Sequence, residues 1–155
     1  LTAGEEILDL LLDAIEEEIR EREFYLALAK RVKNPLVRRK INGIADDEME
    51  HRQTLNRLYW SQSGKEPLRV EPDPSSIAIP DMDGRSLKDL FKTAMVMEEV
   101  SAGKFNRMAF YTLDERTADF LEYLADFERE HYETLSAELR KIQSHPGWED
   151  QGPAD

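Results

Sequence analysis

The chain has 155 residues, enough for one domain with a sizeable core. Apolar residues make up 40% and charged residues 35%, and acidic residues outnumber basic ones 33 to 21, for a net charge of −12. That balance argues against nucleic acid or an anionic membrane surface as a partner, and the lack of cysteine excludes disulfides and thiolate metal sites within these residues.

Thr2-Ala3-Gly4-Glu5 reads as a capping box that opens a first helix. Leu8, Leu11, Leu12, Ile15, Ile19, Tyr25, Leu26 and Ala29 supply its apolar face, and Glu18 falls on that face. Glu16, Glu17, Glu21 and Glu23 surround it and are expected to be mostly solvated surface. Arg22 lies near the stripe, reaching outward or pairing with a glutamate. Asn34-Pro35 closes this helix and starts a second, with Asn as cap and Pro in the first helical position. So short a connection predicts an antiparallel hairpin.

The second helix is expected to run to about Ser63-Gly64. Its stripe is Val37, Ile41, Ile44, Glu48, His51, Leu55 and Leu58. From Lys65 to Arg85 the composition turns to Pro, Gly, Asp and Ser, with Ile77 and Ile79 as candidate surface anchors. A long connection inside a small domain needs a reason, and a crossover along a helix bundle is one.

Ser86-Leu87-Lys88-Asp89 opens a third helix in capping-box fashion. Its face is Leu87, Leu90, Phe91, Ala94, Met95, Glu98, Ala102, Phe105, Met108 and Ala109. Asp114 can cap a fourth helix reaching about Gln143, with the stripe Leu121, Leu124, Glu128, His131, Leu135 and Leu139. His145-Pro146-Gly147 stops it. The expected organisation is therefore all-α: a four-helix bundle over residues 1–144, built from two antiparallel helical hairpins joined by a long crossover (65–85), and followed by a flexible tail (145–155). No stretch reads as a signal peptide or a membrane span, so the expected location is cytoplasmic.

The two halves repeat. Ile44-Ala45-Asp46-Asp47-Glu48-Met49-Glu50-His51 returns as Leu124-Ala125-Asp126-Phe127-Glu128-Arg129-Glu130-His131, an offset of 80 (48 to 128). The same offset carries Glu18 onto Glu98 and Tyr25 onto Phe105. Each Glu-x-x-His places a carboxylate and an imidazole about 300° apart in rotation and about 4.5 Å apart in rise, on one helix face. That spacing suits both side chains closing on one metal ion. A repeat kept only for packing would put leucine or alanine at these stripe positions. Bundling the four stripes instead gathers Glu18, Glu48, His51, Glu98, Glu128 and His131 near mid-core. Four carboxylates there would repel strongly unless protonated or neutralised, and two divalent ions neutralise them.

These residues resemble the ferritin-like superfamily, and most closely the short rubrerythrin-like proteins, over about residues 5–143. The resemblance rests on Glu18…Phe24-Tyr25-x-x-Leu28-Ala29, Ala45-Asp46-x-Glu48-x-Glu50-His51, Glu98, and Ala125-Asp126-x-Glu128-x-Glu130-His131. It implies a ferritin-like fold and two metal ions per chain, iron first, with manganese or zinc as alternatives. In that pattern Glu48 and Glu128 bridge or chelate, His51 and His131 are terminal, and Glu18 and Glu98 complete the two ends. Rubrerythrins carry a further glutamate one turn after the third-helix ligand. This chain has Ser101 there, and Glu21 is the counterpart in the other half. They also carry a cysteine-ligated rubredoxin domain, of which these residues hold no part.

What the resemblance implies about function is a di-iron oxidoreductase acting on peroxide or dioxygen, with a separate electron-donor protein and a homodimeric assembly. The alternatives are ferroxidase or iron handling, and a structural dimetal module. Among the lesser features, Tyr25 either hydrogen-bonds a ligand carboxylate from another helix or packs in the core. Met49 follows Glu48 as the haem-binding methionine does in bacterioferritin, which it resembles there, but surface packing is the expected role. His145 is expected to be solvated, and Trp60 and Trp148 are candidates for a subunit interface.

Overall fold

Asn34 ends one helix and starts the next within three residues. Its backbone is extended (φ −66°, ψ 117°), and its side-chain oxygen accepts from the amides of Leu36 at 3.0 Å and Val37 at 3.4 Å, while Pro35 takes the helical position that needs no amide. The computed structural model describes residues 3–67, 82, 84–145 and 147. Among them are α1 (Ala3–Arg31), α2 (Pro35–Ser63), α3 (Leu87–Tyr111) and α4 (Glu115–Ser144). Thr2, Ile77, Ile79, Trp148 and most of the crossover and tail lie outside the described residues.

The other helix ends follow local chemistry as well. Gly64 closes α2 at φ 70°, a left-handed conformation that a side chain would strain, and its amide bonds to the Trp60 carbonyl. Ser86 caps α3 by accepting from the Asp89 amide at 3.1 Å. Asp114 caps α4, accepting from the Arg116 amide at 3.3 Å and from the Thr117 hydroxyl at 2.6 Å.

Contacts between helix ends give the topology. Arg31, at the end of α1, donates to the carbonyls of Met82 and Arg85 just before α3, so α1 and α3 run antiparallel. Lys40 near the start of α2 pairs with Glu138 near the end of α4 at 2.5 Å. Gln62 at the end of α2 donates to Thr117 at the start of α4 at 3.0 Å, so these helices are antiparallel too. The end of α2 and the start of α3 therefore lie at opposite ends of the bundle. A helix of 29 residues is about 43 Å long, which is why the connection between the hairpins has to be long.

The core is split in two. One apolar layer gathers Phe24, Tyr25, Leu28, Val32, Val37, Ile41, Phe91 and Leu135, and the other Leu11, Ile15, Leu55, Phe105, Leu121 and Leu124. Burying each large apolar side chain is worth roughly 1.5–3 kcal/mol, so the two layers supply the driving force for closing the bundle. The α1 stripe differs in detail from the expected one. Ile19 and Leu26 are only half-buried, while Phe24, Leu28 and Val32 are buried, and Met95 on α3 is likewise half-buried. The buried stripe moves by steps of three and four, with two threes in succession at Ile15, Glu18 and Glu21: from Leu11 it passes through Ile15, Glu18, Glu21, Tyr25, Leu28 and Val32. The stripe thus takes in Glu21, which is 2% exposed and not the solvated residue expected, while Arg22 sits at the edge beside Glu23.

Candidate metal centre

Between the two apolar layers lies a polar one. Glu18 on α1, Glu48 and His51 on α2, Glu98 on α3, and Glu128 and His131 on α4 are all buried, none more than 4% exposed. The structure brings all six together as two overlapping groups: Glu18, Glu48, His51 and Glu128, and Glu48, Glu98, Glu128 and His131. Within each group one donor atom per residue lies within 4.8 Å of the others, a spacing that suits donors about 2.0–2.2 Å from a common ion. Glu48 and Glu128 belong to both groups. Each histidine turns Nδ1 inward: His51 Nδ1 is 3.0 Å from Glu128 and 3.5 Å from Glu18, and His131 Nδ1 is 3.0 Å from Glu48 and 3.5 Å from Glu98. The two imidazoles stack 5.9 Å apart.

The electrostatics of this layer are costly without a cation. Both oxygens of Glu48 and Glu128, one each of Glu18 and Glu98, and Nδ1 of both histidines are buried without a hydrogen bond of normal geometry. Burial, reinforced by neighbouring carboxylates, holds Glu48 and Glu128 well above the usual carboxylate range. Burial does the same for Glu18, against the opposing hydrogen bond to Glu48. Glu98 goes the other way: burial pushes it up, but hydrogen bonds from Glu128, His131 and Tyr25 outweigh burial and keep it ionised. His51 is pushed down to about 4 by burial and by the charge on His131. His131 also feels burial, yet its hydrogen bonds to Glu48 and Glu98 raise it to about 11. Protons therefore hold the metal-free layer together. Orphaned oxygens and inward-facing imidazole nitrogens are the donor set that transition metals take, and metal would displace those protons. The residues fit a pair of ions.

Supporting side chains surround the six. The Tyr25 hydroxyl on α1 donates to Glu98 on α3 at 2.5 Å. Ser101 donates to Glu21, and Glu21 in turn interacts with Glu48 and Glu98. Asp47 accepts from His131 Nε2 at 2.8 Å, so Nδ1 is the nitrogen that faces inward and would offer its lone pair once metal displaces its proton. Phe127, the counterpart of Asp47 in the repeat, stands edge-on to the His51 ring at 5.1 Å. Periodicity alone singles out neither Asp47 nor Phe127; the available signal is their mismatch within the repeat. A surface cavity of about 460 Å³ between α1 and α3 has Glu21 in its wall, together with Arg85, Lys92 and Val96. Outside the centre, Met49 is half-buried on the surface of α2, His145 is exposed, and Trp60 is 52% exposed. Among the described residues no helix is long and apolar enough to cross a membrane.

Comparison with known proteins agrees with this architecture. The family model of rubrerythrin matches residues 9–139. A hypothetical protein from Pyrococcus furiosus has a similar structure, with 31% identity, TM-score 0.74, and coverage of 89% of this chain and 90% of that one. A bacterioferritin from Desulfovibrio desulfuricans, described with a diiron site, superposes with TM-score 0.74 at 14% identity over 92% of this chain and 83% of its own. The Mycobacterium tuberculosis bacterioferritin BfrA gives TM-score 0.73 at 18% identity over 90% and 87%. A comparison with curated protein sequences returns no match. The fold is that of a ferritin-like four-helix bundle.

Proposed function

Because the chain belongs to the rubrerythrin family, we propose that it is a non-haem di-iron oxidoreductase, reducing peroxide or dioxygen with electrons from a separate donor protein. The observation that carries this reading is the pair of overlapping donor groups sharing Glu48 and Glu128, with buried oxygens that lack a hydrogen bond of normal geometry among the described residues. Two iron ions bound there would supply the two electrons that a peroxide O–O bond requires, the cleavage taking up two protons to give two waters.

The roles of the residues follow from their positions. Glu48 and Glu128, common to both donor groups, would serve both ions, Glu18 and Glu98 one each, and His51 and His131 would each offer Nδ1. Tyr25 orients Glu98 through its hydroxyl. The apolar layers above and below exclude bulk water and so strengthen every electrostatic interaction between them. The cavity between α1 and α3 has Glu21, which interacts with Glu48 and Glu98, in its wall, and this supports entry of a small oxidant from that side. The expected setting is the cytoplasm, as a homodimer; the exposed Trp60, Phe120 and Tyr123 support an apolar contact between copies.

The test is stopped-flow mixing of anaerobic protein loaded with ferrous iron against hydrogen peroxide and dioxygen at matched concentration. Faster oxidation by peroxide, with multiple turnovers when a reductant is supplied, is the expected result. Faster oxidation by dioxygen with accumulation of ferric mineral would make the protein a ferroxidase, and bound metal without turnover would make the centre structural.

A further inference from the structure

The repeat is broken at two places beside the centre, and one of the breaks distinguishes its two sides. His131 has its outer nitrogen, Nε2, held by Asp47 at 2.8 Å, which orients the ring with Nδ1 toward Glu48 and Glu98. Among the described residues His51 has no such partner: its Nε2 is buried without a hydrogen bond, and the residue that repeats Asp47 is Phe127, packed against its ring. The second break is Glu21 against Ser101. Glu21 is buried, accepts the Ser101 hydroxyl, and interacts with Glu18, Glu48 and Glu98, which belong to both donor groups, so this break does not distinguish the two sides.

We propose that the two ion positions are unequal. The position of Glu48, Glu98, Glu128 and His131 is tight and fills first, with Asp47 as the residue that positions His131. The position of Glu18, Glu48, His51 and Glu128 is weaker, fills second and exchanges its ion. This rests on the dimetal reading above. The physical basis is that an imidazole already held in orientation loses less freedom on binding.

The experiment is an anaerobic titration of the metal-free full chain with cobalt(II), followed by calorimetry and by the ligand-field absorbance of the bound ion. Two resolved steps are expected. His131→Ala should abolish the first and His51→Ala only the second. Asp47→Asn should weaken the first step about 10–100-fold and leave the second in place, a selective loss that general structural damage would not produce. Phe127→Asp should tighten the second. The Asn substitution is isosteric, and the unsubstituted chain alone decides whether the steps differ. Two ions binding in a single indistinguishable step, or loss of the first step in His51→Ala, would overturn the inequality while leaving the dimetal reading intact. No cobalt binding at all would overturn the dimetal reading itself.

Discussion

Ser101 on α3 donates its hydroxyl to the Glu21 carboxylate on α1, and these two residues occupy the same position in the two halves of the repeat. The bundle thus places a residue against its own repeat partner across the α1–α3 interface. A pair of identical glutamates there would bring two buried carboxylates into contact. Ser101 instead supplies a donor to Glu21 and leaves the other carboxylate oxygen without a partner.

Two transition-metal ions per chain are expected from four carboxylates and two imidazoles in two overlapping groups. Elemental analysis after anaerobic ferrous reconstitution checks the number, and a value of zero would end the dimetal reading.

Metal should also stabilise the fold, because it neutralises a layer that is otherwise protonated or repulsive. Linkage gives about 4 kcal/mol when free metal is ~1,000 times its dissociation constant. Chelation should therefore lower Tm by several degrees, and an unchanged Tm would contradict the expectation. His51→Ala and His131→Ala should each reduce occupancy. Glu16→Ala and Glu23→Ala, on the partly exposed flank of α1, should change stability by no more than ~0.5 kcal/mol.

The metal-free protein should lose stability as pH rises from 6.5 towards about 11. His131 is raised from 6.5 to about 11, so its contribution is complete below 6.5 and declines as pH climbs through that range. Glu18, Glu48 and Glu128 are raised above 4.5 by burial, so their protonated forms are also lost with rising pH, in the same direction. His51, lowered to about 4, acts only between about 4 and 6.5, outside this window. Thermal melts of chelated protein at the two ends of the window check the sign. With metal bound the slope should flatten, because the ions have replaced the protons.

Tyr25→Phe removes the one donor that reaches Glu98 from α1 among the described residues. Loss of a hydrogen bond to an ionised, buried carboxylate costs about 1.5–3 kcal/mol. Urea unfolding of the metal-free protein should show a loss of that size with an unchanged m-value. A loss below ~0.5 kcal/mol would mean that water or another side chain takes over the contact.

The turn between α1 and α2 offers a separate check. Asn34→Ala deletes the acceptor for two amides at the start of α2 and should cost about 1 kcal/mol without changing metal content.

Helix positions, the two hairpins and the six buried donors were all legible in the chain, because helical periodicity is a local property. Steps of three and four around Glu48–His51 and Glu128–His131 place each pair on one face whatever that face meets, and the offset of 80 reveals that both halves do the same. Asn34-Pro35 and Ser86 mark helix ends through bonds spanning only a few residues. The tertiary structure alone decided that Glu21 joins the buried stripe while Ile19 and Leu26 stay at its rim, since burial depends on which way each helix is rotated against its neighbours. It alone decided that Asp47 reaches His131 on α4, that Tyr25 reaches Glu98 on α3, and that Phe127 packs on His51. These contacts join different helices, and their distances follow from crossing angle and register, which come from packing the whole core and which no short window of residues encodes.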